Sequence, residues 1–145
     1  MPSGAPPPAR HEGAGDGVTV APSAFDALYG LELVSVSDKR VEARVVVRPH
    51  HLQPAGFVHG GVIASLAEGM ASLATHRAVA PDGMGAAGIS NQASFLRPLG
   101  GPAITAVAER RHRGRSTWVW DVEVADDAGR VCALVRMTIA VRPLP

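Results

Sequence analysis

The sequence has little of several features that would assign a function class at once. Its one cysteine, Cys132, permits no internal disulfide and fits a reducing compartment. The net charge is only +1, so no overall basic field indicates nucleic acid as a partner. No apolar run reaches the roughly 20 residues that a membrane-spanning helix requires, and the N-terminus has no apolar signal-peptide core. We therefore expect a cytoplasmic protein.

Aromatic residues and metal-ligand spacings are also scarce. Aromatic side chains are 4% of the chain, and nothing basic alternates with Trp118 and Trp120 on their strand face, which predicts core positions and not stacking platforms. Cys132 alternates onto the outer face of the last predicted strand, where we expect a structural role. The histidines near Glu68 do not stand at the spacing of a known zinc site, so no metal is predicted.

The most informative stretch is residues 51–75, HLQPAGFVHGGVIASLAEGMASLAT. Its apolar residues recur at the period of one helical face, and Glu68, the only fixed charge in the stretch, falls on the opposite side. The residues that flank this acid are hydroxyls: Ser65, Ser72 and Thr75. A solvated face would normally carry lysine, arginine and several acids, so we expect this second face to be covered and Glu68 to lie where water is scarce. The alternative is an ordinary solvated glutamate.

The start of this predicted helix lacks a Ser, Thr or Asp cap. Gly60 and Gly61 follow His59, where the first backbone N–H groups have no acceptor within the helix and lie at the positive end of its dipole. Glycine lets a substrate oxygen approach these groups closely. Bare N–H groups at this point favour binding of an oxyanion.

The rest of the chain predicts an α+β domain. Residues 1–23 are rich in Pro, Gly and Ala and indicate a disordered tail, and residues 24–145 form the domain. It begins with a short helix capped by Ser23 and ended by Gly30. The predicted strands cover residues 31–37, 41–48, 87–96, 103–112, 116–125 and 130–142, with the long helix ending near Val79. This order indicates an antiparallel sheet wrapped around a long central helix, with a second subunit covering the free helix face.

The string GFVHGGVIASLAE and the segments that follow it, from about His50 to Pro143, resemble the hotdog-fold thioesterases. The resemblance is to the PaaI-like group, which includes the Arthrobacter-type 4-hydroxybenzoyl-CoA thioesterase. It implies an acyl-CoA substrate, a homodimer whose interface builds two sites, and commonly a homotetramer. Coenzyme A is then part of the substrate, and no separate cofactor is implied.

The resemblance assigns a role to each of five catalytic candidates. Glu68 matches the carboxylate that acts as nucleophile or as general base, and Gly60 matches the residue whose N–H polarises the thioester carbonyl. Gln53 matches a glutamine that contacts the reacting group. Ser72 stands where close relatives have a threonine that positions water, and His59 matches the motif histidine at the helix start.

Other matched positions concern binding and specificity. Arg97 and the pair Arg115 and Ser116 match positions that touch the nucleotide end of coenzyme A. Leu73 stands where the hydroxybenzoyl-specific relative has an acid, which weakens any expectation of aryl hydroxyl recognition. Leu144-Pro145 replaces a basic C-terminus and so removes a candidate phosphate contact.

Helix geometry adds a constraint on the two central roles. Gly60 and Glu68 are eight residues apart, which is about 12 Å along one helix. A thioester carbonyl needs its nucleophile and its oxyanion donor within a few ångströms of each other. If both residues are catalytic, they must come from different subunits.

Several alternatives remain open at this point. A hydratase or dehydratase on the same fold would use His59 and Glu68 as an acid/base pair, and a non-catalytic protein would only bind acyl-CoA. Residues such as Phe57, Met70 and Leu73 accept an aromatic ring or a medium chain equally well. Four arginines around the RGR hairpin suit either coenzyme A phosphates or a solvated strand end: Arg110, Arg111, Arg113 and Arg115.

Overall fold

A computed structural model describes residues 21–145 of the protein. The predicted disordered tail, apart from its last three residues, lies outside the described residues. Within them, no helix is both long and apolar enough to cross a membrane.

Two helices and six strands follow one another in the predicted order. The helices are α1 (Ala24–Tyr29) and α2 (Gly60–Val79), and the strands are β1 (Glu32–Val36), β2 (Arg40–Val46), β3 (Met84–Phe95), β4 (Ala103–Arg113), β5 (Thr117–Asp126) and β6 (Val131–Pro143). Single 3-10 turns, Pro49–His51 and Ala80–Asp82, stand before and after α2. Strand β3 begins three residues before the predicted start at residue 87, because Met84 and Gly85 already pair with β6.

The six strands form one antiparallel sheet in the order β1-β2-β4-β5-β6-β3. Helix α2 packs against five of these strands, β2 to β6. The predicted sheet around a central helix is therefore confirmed. Strand β3 lies at one end of this order, and its outer edge has no partner strand among residues 21–145.

The core lies between α2 and the inner face of the sheet. Leu66 and Met70 of the helix and Trp118 and Trp120 of β5 are all at most 1% exposed, as predicted for the tryptophans.

Thr75, which the helical period places beside Glu68, lies on the core side instead. Its hydroxyl donates to the Ala71 carbonyl at 2.8 Å and accepts from the indole N–H of Trp120 at 3.0 Å. A hydroxyl that both donates and accepts a hydrogen bond can be buried without a loss of stability.

The prediction that Cys132 faces outward is wrong. Its neighbour Ala133 pairs with Val124, whereas Val131 pairs with Ala125, so Cys132 is the extra residue of a β-bulge. A bulge breaks the strict alternation of strand faces, and both Cys132 and Ala133 turn into the core. Strand periodicity in the sequence does not reveal such an inserted residue.

The short helix α1 begins at the predicted cap, Ser23, and docks on α2 where Gly69 has no side chain. A Cβ atom at Gly69 would lie 2.8 Å from both the Asp26 carboxylate and the Tyr29 hydroxyl. That hydroxyl donates to Asp26 at 2.6 Å and lies 3.2 Å from the Ser65 carbonyl of α2. Burial and the hydrogen bond to Asp26 raise the pKa of Tyr29 above its ordinary range.

Candidate active site

The start of α2 is capped after all, by an imidazole in place of the usual hydroxyl or carboxylate. The Nδ1 atom of His59 accepts a hydrogen bond from the Gly61 N–H at 2.8 Å. The expectation of two bare N–H groups is therefore wrong for Gly61. Gly60 is the first residue of the helix, and its N–H has no acceptor within α2. His59 thus satisfies one donor and leaves the Gly60 donor for other partners.

A tight turn before α2 brings Gln53 toward the helix start. The Gly56 N–H donates to the Gln53 carbonyl at 2.9 Å, and the Gln53 N–H donates to the Phe57 carbonyl at 2.8 Å. Gly56 has φ +87°, a conformation that glycine adopts without strain. The side-chain oxygen of Gln53 accepts from the Ala55 N–H, which leaves its amide group free to point elsewhere.

His51 anchors this loop from within the protein. Its side chain is 2% exposed, and its Nδ1 accepts from the Arg48 N–H at 3.0 Å. Its carbonyl accepts from the N–H of His59 at 2.8 Å, which ties it to the α2 cap. Burial, together with the neighbouring His50, lowers the pKa of His51. The neutral imidazole is therefore the form that the folded loop holds.

We expect the stability of the protein to fall as the pH is lowered past the titration of His51. Because the pKa of His51 is lowered on folding, the unfolded chain binds the proton more readily, and stability is complete only above the unfolded value of about 6.5. Urea unfolding at pH 7.5 and pH 5 would measure this loss. The variant His51→Asn keeps an acceptor for Arg48 and should show a smaller loss, whereas the exposed control His76→Asn should behave like the parent. An equal loss in His51→Asn would contradict the assignment.

Three of the predicted site residues line one cavity. Gln53, Gly60 and Arg97 share a cavity of about 410 Å³ whose other walls are mainly apolar, with Phe57, Phe95 and Leu96 among them. The Phe95 ring lies directly over Gly60, since a Cβ atom there would be 2.8 Å from the ring. Glycine at this position therefore leaves room for the ring.

Glu68 lies in a different place, on the helix face turned away from the core. It is exposed in the single chain, so the expected scarcity of water is not a property of one chain alone. Its carboxylate accepts a hydrogen bond from the Asn91 side-chain amide at 3.2 Å. Its other oxygen lies 3.2 Å from the point that a Cβ atom on Gly88 would occupy. Ser72, one turn further along α2, is half-buried beside it.

Asn91 is the neighbour of Glu68 that the sequence did not indicate. Strand alternation from Gly88 would turn Ser90 toward α2 and Asn91 away from it. In the structure Gly88 pairs with Ile139 and Ser90 with Thr138, so Ile89 is an inserted bulge residue. The bulge reverses the faces, and Gly88 and Asn91 both turn toward the helix.

The geometry separates the two central candidates within one chain. Helix α2 runs without interruption from Gly60 to Val79, so Gly60 and Glu68 are about 12 Å apart along its axis. One chain cannot bring both to one carbonyl. Met70, a candidate wall for the acyl group in the sequence, is 0% exposed and belongs to the core.

Comparisons with known proteins decide the family. The family model described as Thioesterase superfamily matches residues 55–133, more than half of the chain. The chain belongs to the thioesterase superfamily. It is 34% identical over 113 residues to a 1,4-dihydroxy-2-naphthoyl-CoA hydrolase of Listeria monocytogenes, which covers 78% of this chain and 91% of that protein.

Solved structures agree with this assignment. A mutant thioesterase of Pseudomonas aeruginosa superposes with a TM-score of 0.78 at 33% identity, covering 83% of this chain and 86% of that one. A thioesterase of Haemophilus influenzae superposes with a TM-score of 0.77 at 30% identity, covering 83% of each chain. The protein described here is a hotdog-fold thioester hydrolase, as the motif resemblance implied.

The hairpin arginines of this thioesterase are mostly engaged with its own acids. Arg110 and Arg113 both contact the Asp38 carboxylate, at 2.9 and 3.0 Å, and both guanidinium groups lie 4.9 Å from the centre of the buried Trp118 ring. Hydrogen bonding from Arg110 lowers the pKa of Asp38.

Arg115, by contrast, has no ion-pair partner among residues 21–145, and it is exposed beside Ser116. It is the hairpin arginine best placed to meet a phosphate.

A larger groove in the thioesterase lies on the outer face of the sheet and contains none of the predicted site residues. Its volume is about 560 Å³, and its walls are charged. Asp121 in this groove binds Arg136 at 2.7 Å and Arg111 at 3.0 Å, and these hydrogen bonds lower the pKa of Asp121. Most charges in the groove are paired with one another, and its remaining acid, Glu123, is exposed to solvent.

Proposed function

We propose that this thioesterase hydrolyses an aryl or otherwise bulky acyl-CoA in the cytoplasm, with each active site built by two subunits. The Gly60 N–H of one subunit polarises the thioester carbonyl, and the Glu68 carboxylate of the partner acts on the carbonyl carbon. The observation that carries the proposal is the placement of both residues on one unbroken helix, too far apart to meet within a chain.

The shape of the chain supports a two-fold dimer of this kind. The outer edge of β3 is a long strand edge without a partner among the described residues, and such an edge tends to pair with another chain. If Gly60 faces the partner's Glu68, a two-fold axis crosses α2 midway between them, at Ala64. The Asn91 amide donates to the Ala64 carbonyl at 2.9 Å, so the same axis would cross β3 near its edge. Pairing of β3 with its copy and pairing of the two sites are therefore compatible.

The chemistry follows from these two positions. As the carbonyl becomes tetrahedral, its oxygen gains negative charge, and the Gly60 N–H stabilises it by about 3 to 4 kcal/mol if it resembles other oxyanion donors. Glu68 either attacks the carbonyl carbon to form a mixed anhydride, which water then cleaves, or removes a proton from an attacking water. Both routes release coenzyme A as the thiol. Gln53 contacts the reacting group, and Ser72 positions the water.

Binding uses the cavity beside Gly60 and the exposed arginines. Phe57, Phe95 and Leu96 suit the hydrocarbon on either side of the thioester, and Arg97 at the exposed rim suits a phosphate of coenzyme A. Arg115 and Ser116 extend this contact to the nucleotide end. His59 serves mainly as the α2 cap that keeps the Gly60 N–H available. We expect two dimers to associate as a homotetramer.

A substrate panel tests the proposal. Purified protein is given benzoyl, 4-hydroxybenzoyl, phenylacetyl and straight-chain CoA esters, and free coenzyme A is measured with a thiol dye. We expect release of thiol, fastest with the aromatic esters. Loss of enoyl-CoA absorbance without thiol release would instead indicate a hydratase, and binding without turnover would indicate an acyl-CoA-binding protein.

A further inference from the structure

We infer that Asn91 is a positioning residue, which holds the Glu68 carboxylate in the orientation that hydrolysis requires. The inference rests on the proposed role of Glu68 and adds a second residue to it. Asn91 comes from β3 and Glu68 from α2, so the contact fixes the carboxylate to the sheet and not only to its own helix.

The hydrogen bonds determine how the Asn91 amide is oriented. Its NH2 group donates to the Glu68 Oε2 atom at 3.2 Å and to the Ala64 carbonyl at 2.9 Å. Both partners are acceptors, and turning the amide over would place its oxygen against two other oxygens. The amide therefore spans the helical turn from Ala64 to Glu68 and presents one proton to each end of it.

The remaining atom of this amide indicates that Asn91 is not there for stability. Its Oδ1 atom is buried and has no hydrogen-bond partner anywhere in residues 21–145. Because the atom is already buried within the single chain, an added subunit cannot easily supply a donor. The Ala64 carbonyl already accepts the Glu68 N–H within the helix and does not need Asn91. A leucine of similar size would avoid the unpaired oxygen, so the asparagine is better explained by the Glu68 contact.

The strand is shaped to make this contact. The bulge at Ile89 turns both Gly88 and Asn91 toward α2. A Cβ atom on Gly88 would lie 3.2 Å from the second carboxylate oxygen, a tight contact that glycine avoids. The carboxylate is thus held at one oxygen by a donor, and the other oxygen lies where a glycine leaves it room. Bulges beside active sites commonly redirect a side chain in this way.

The test compares Asn91→Leu and Asn91→Asp with the parent enzyme. Leucine removes the amide but keeps its size, and aspartate keeps its shape but replaces the NH2 donor with an oxygen. We expect each to lower kcat about 10- to 100-fold, the effect of a slightly misplaced reacting group. KM should change little. The melting temperature of Asn91→Leu should equal or exceed that of the parent, because the unpaired oxygen is gone.

A double-substitution cycle separates this role from a structural one. In a Glu68→Gln background, Asn91→Leu should cause little further loss, since its effect passes through the Glu68 carboxylate. Gln92→Leu, on the outer face of the same strand, is the matched control and should retain parental turnover. If Glu68→Gln abolishes hydrolysis while Asn91→Leu stays within twofold of the parent, this inference alone is overturned. If Glu68→Gln itself retains turnover, the proposed function has failed. A loss that only follows unfolding also overturns the inference.

Discussion

Replacing Glu68 with glutamine should lower kcat for thioester hydrolysis by about 10³-fold, within the range contributed by a positioned base or nucleophile. The amide keeps the size of the side chain but can neither attack the carbonyl nor take a proton from water. Glu68 is exposed in the single chain and forms no contact with the core, so the variant should keep the fold and the melting temperature of the parent. Steady-state release of coenzyme A and circular dichroism measure the two expectations.

Glu123→Gln is the matched control for this substitution. Glu123 is an exposed acid on β5 that faces the charged outer groove, away from α2. It should leave turnover unchanged. Near-parental activity in Glu68→Gln would remove Glu68 from the active site, and a dissociated or unfolded variant would assign it a structural role instead.

A second large effect is expected from removing the Gly60 N–H. Proline has no N–H and is well tolerated at the first position of a helix. His59 precedes it with φ −62° and ψ 134°, a conformation that suits a residue before proline. Gly60→Pro should therefore preserve α2 and lower kcat about 10²- to 10³-fold, as loss of one oxyanion donor does. Gly60→Ala meets the same Phe95 ring but keeps the N–H, so the difference between the two variants isolates the donor.

Mixed dimers test whether the two residues act across subunits. One subunit carries Gly60→Pro and the other Glu68→Gln, each with its own affinity tag, and the mixed species is purified over both. If the groups meet in trans, one of the two sites contains both wild-type residues and activity returns, although each homodimer is inactive. Should the mixed dimer remain as inactive as its parents, the shared site would be excluded.

The boundaries of the elements were largely predictable because they depend on local signals. Ser23 and Gly30 enclose α1, Pro81 follows the end of α2, and alternation identified the six strands to within three residues at each end. The predictions failed where the orientation of a side chain depends on a hydrogen bond to another element or on an inserted bulge residue. Thr75 lies in the core because Trp120 supplies a partner, and Cys132 turns inward because of a bulge.

The candidate site was predictable only in part for the same reason. The motif around Gly60 and Glu68 is contiguous in the chain, so its spacing could be converted into a distance along a helix. Gln53 and Arg97 are 44 residues apart in the sequence, and only the folded chain brings them to one cavity. Asn91 was missed because the bulge at Ile89 reverses the face on which it lies.

The sequence by itself determined the elements, their order and the separation of Gly60 from Glu68, because periodicity, caps and helical rise are properties of neighbouring residues. Only the tertiary structure decided that Asn91 contacts Glu68 and that Glu68 is exposed in a single chain. It also decided that His59 accepts a hydrogen bond from Gly61, one of the two N–H groups expected to be free. These depend on strand register and on contacts between distant segments. A one-residue bulge changes both without leaving a clear trace in the sequence.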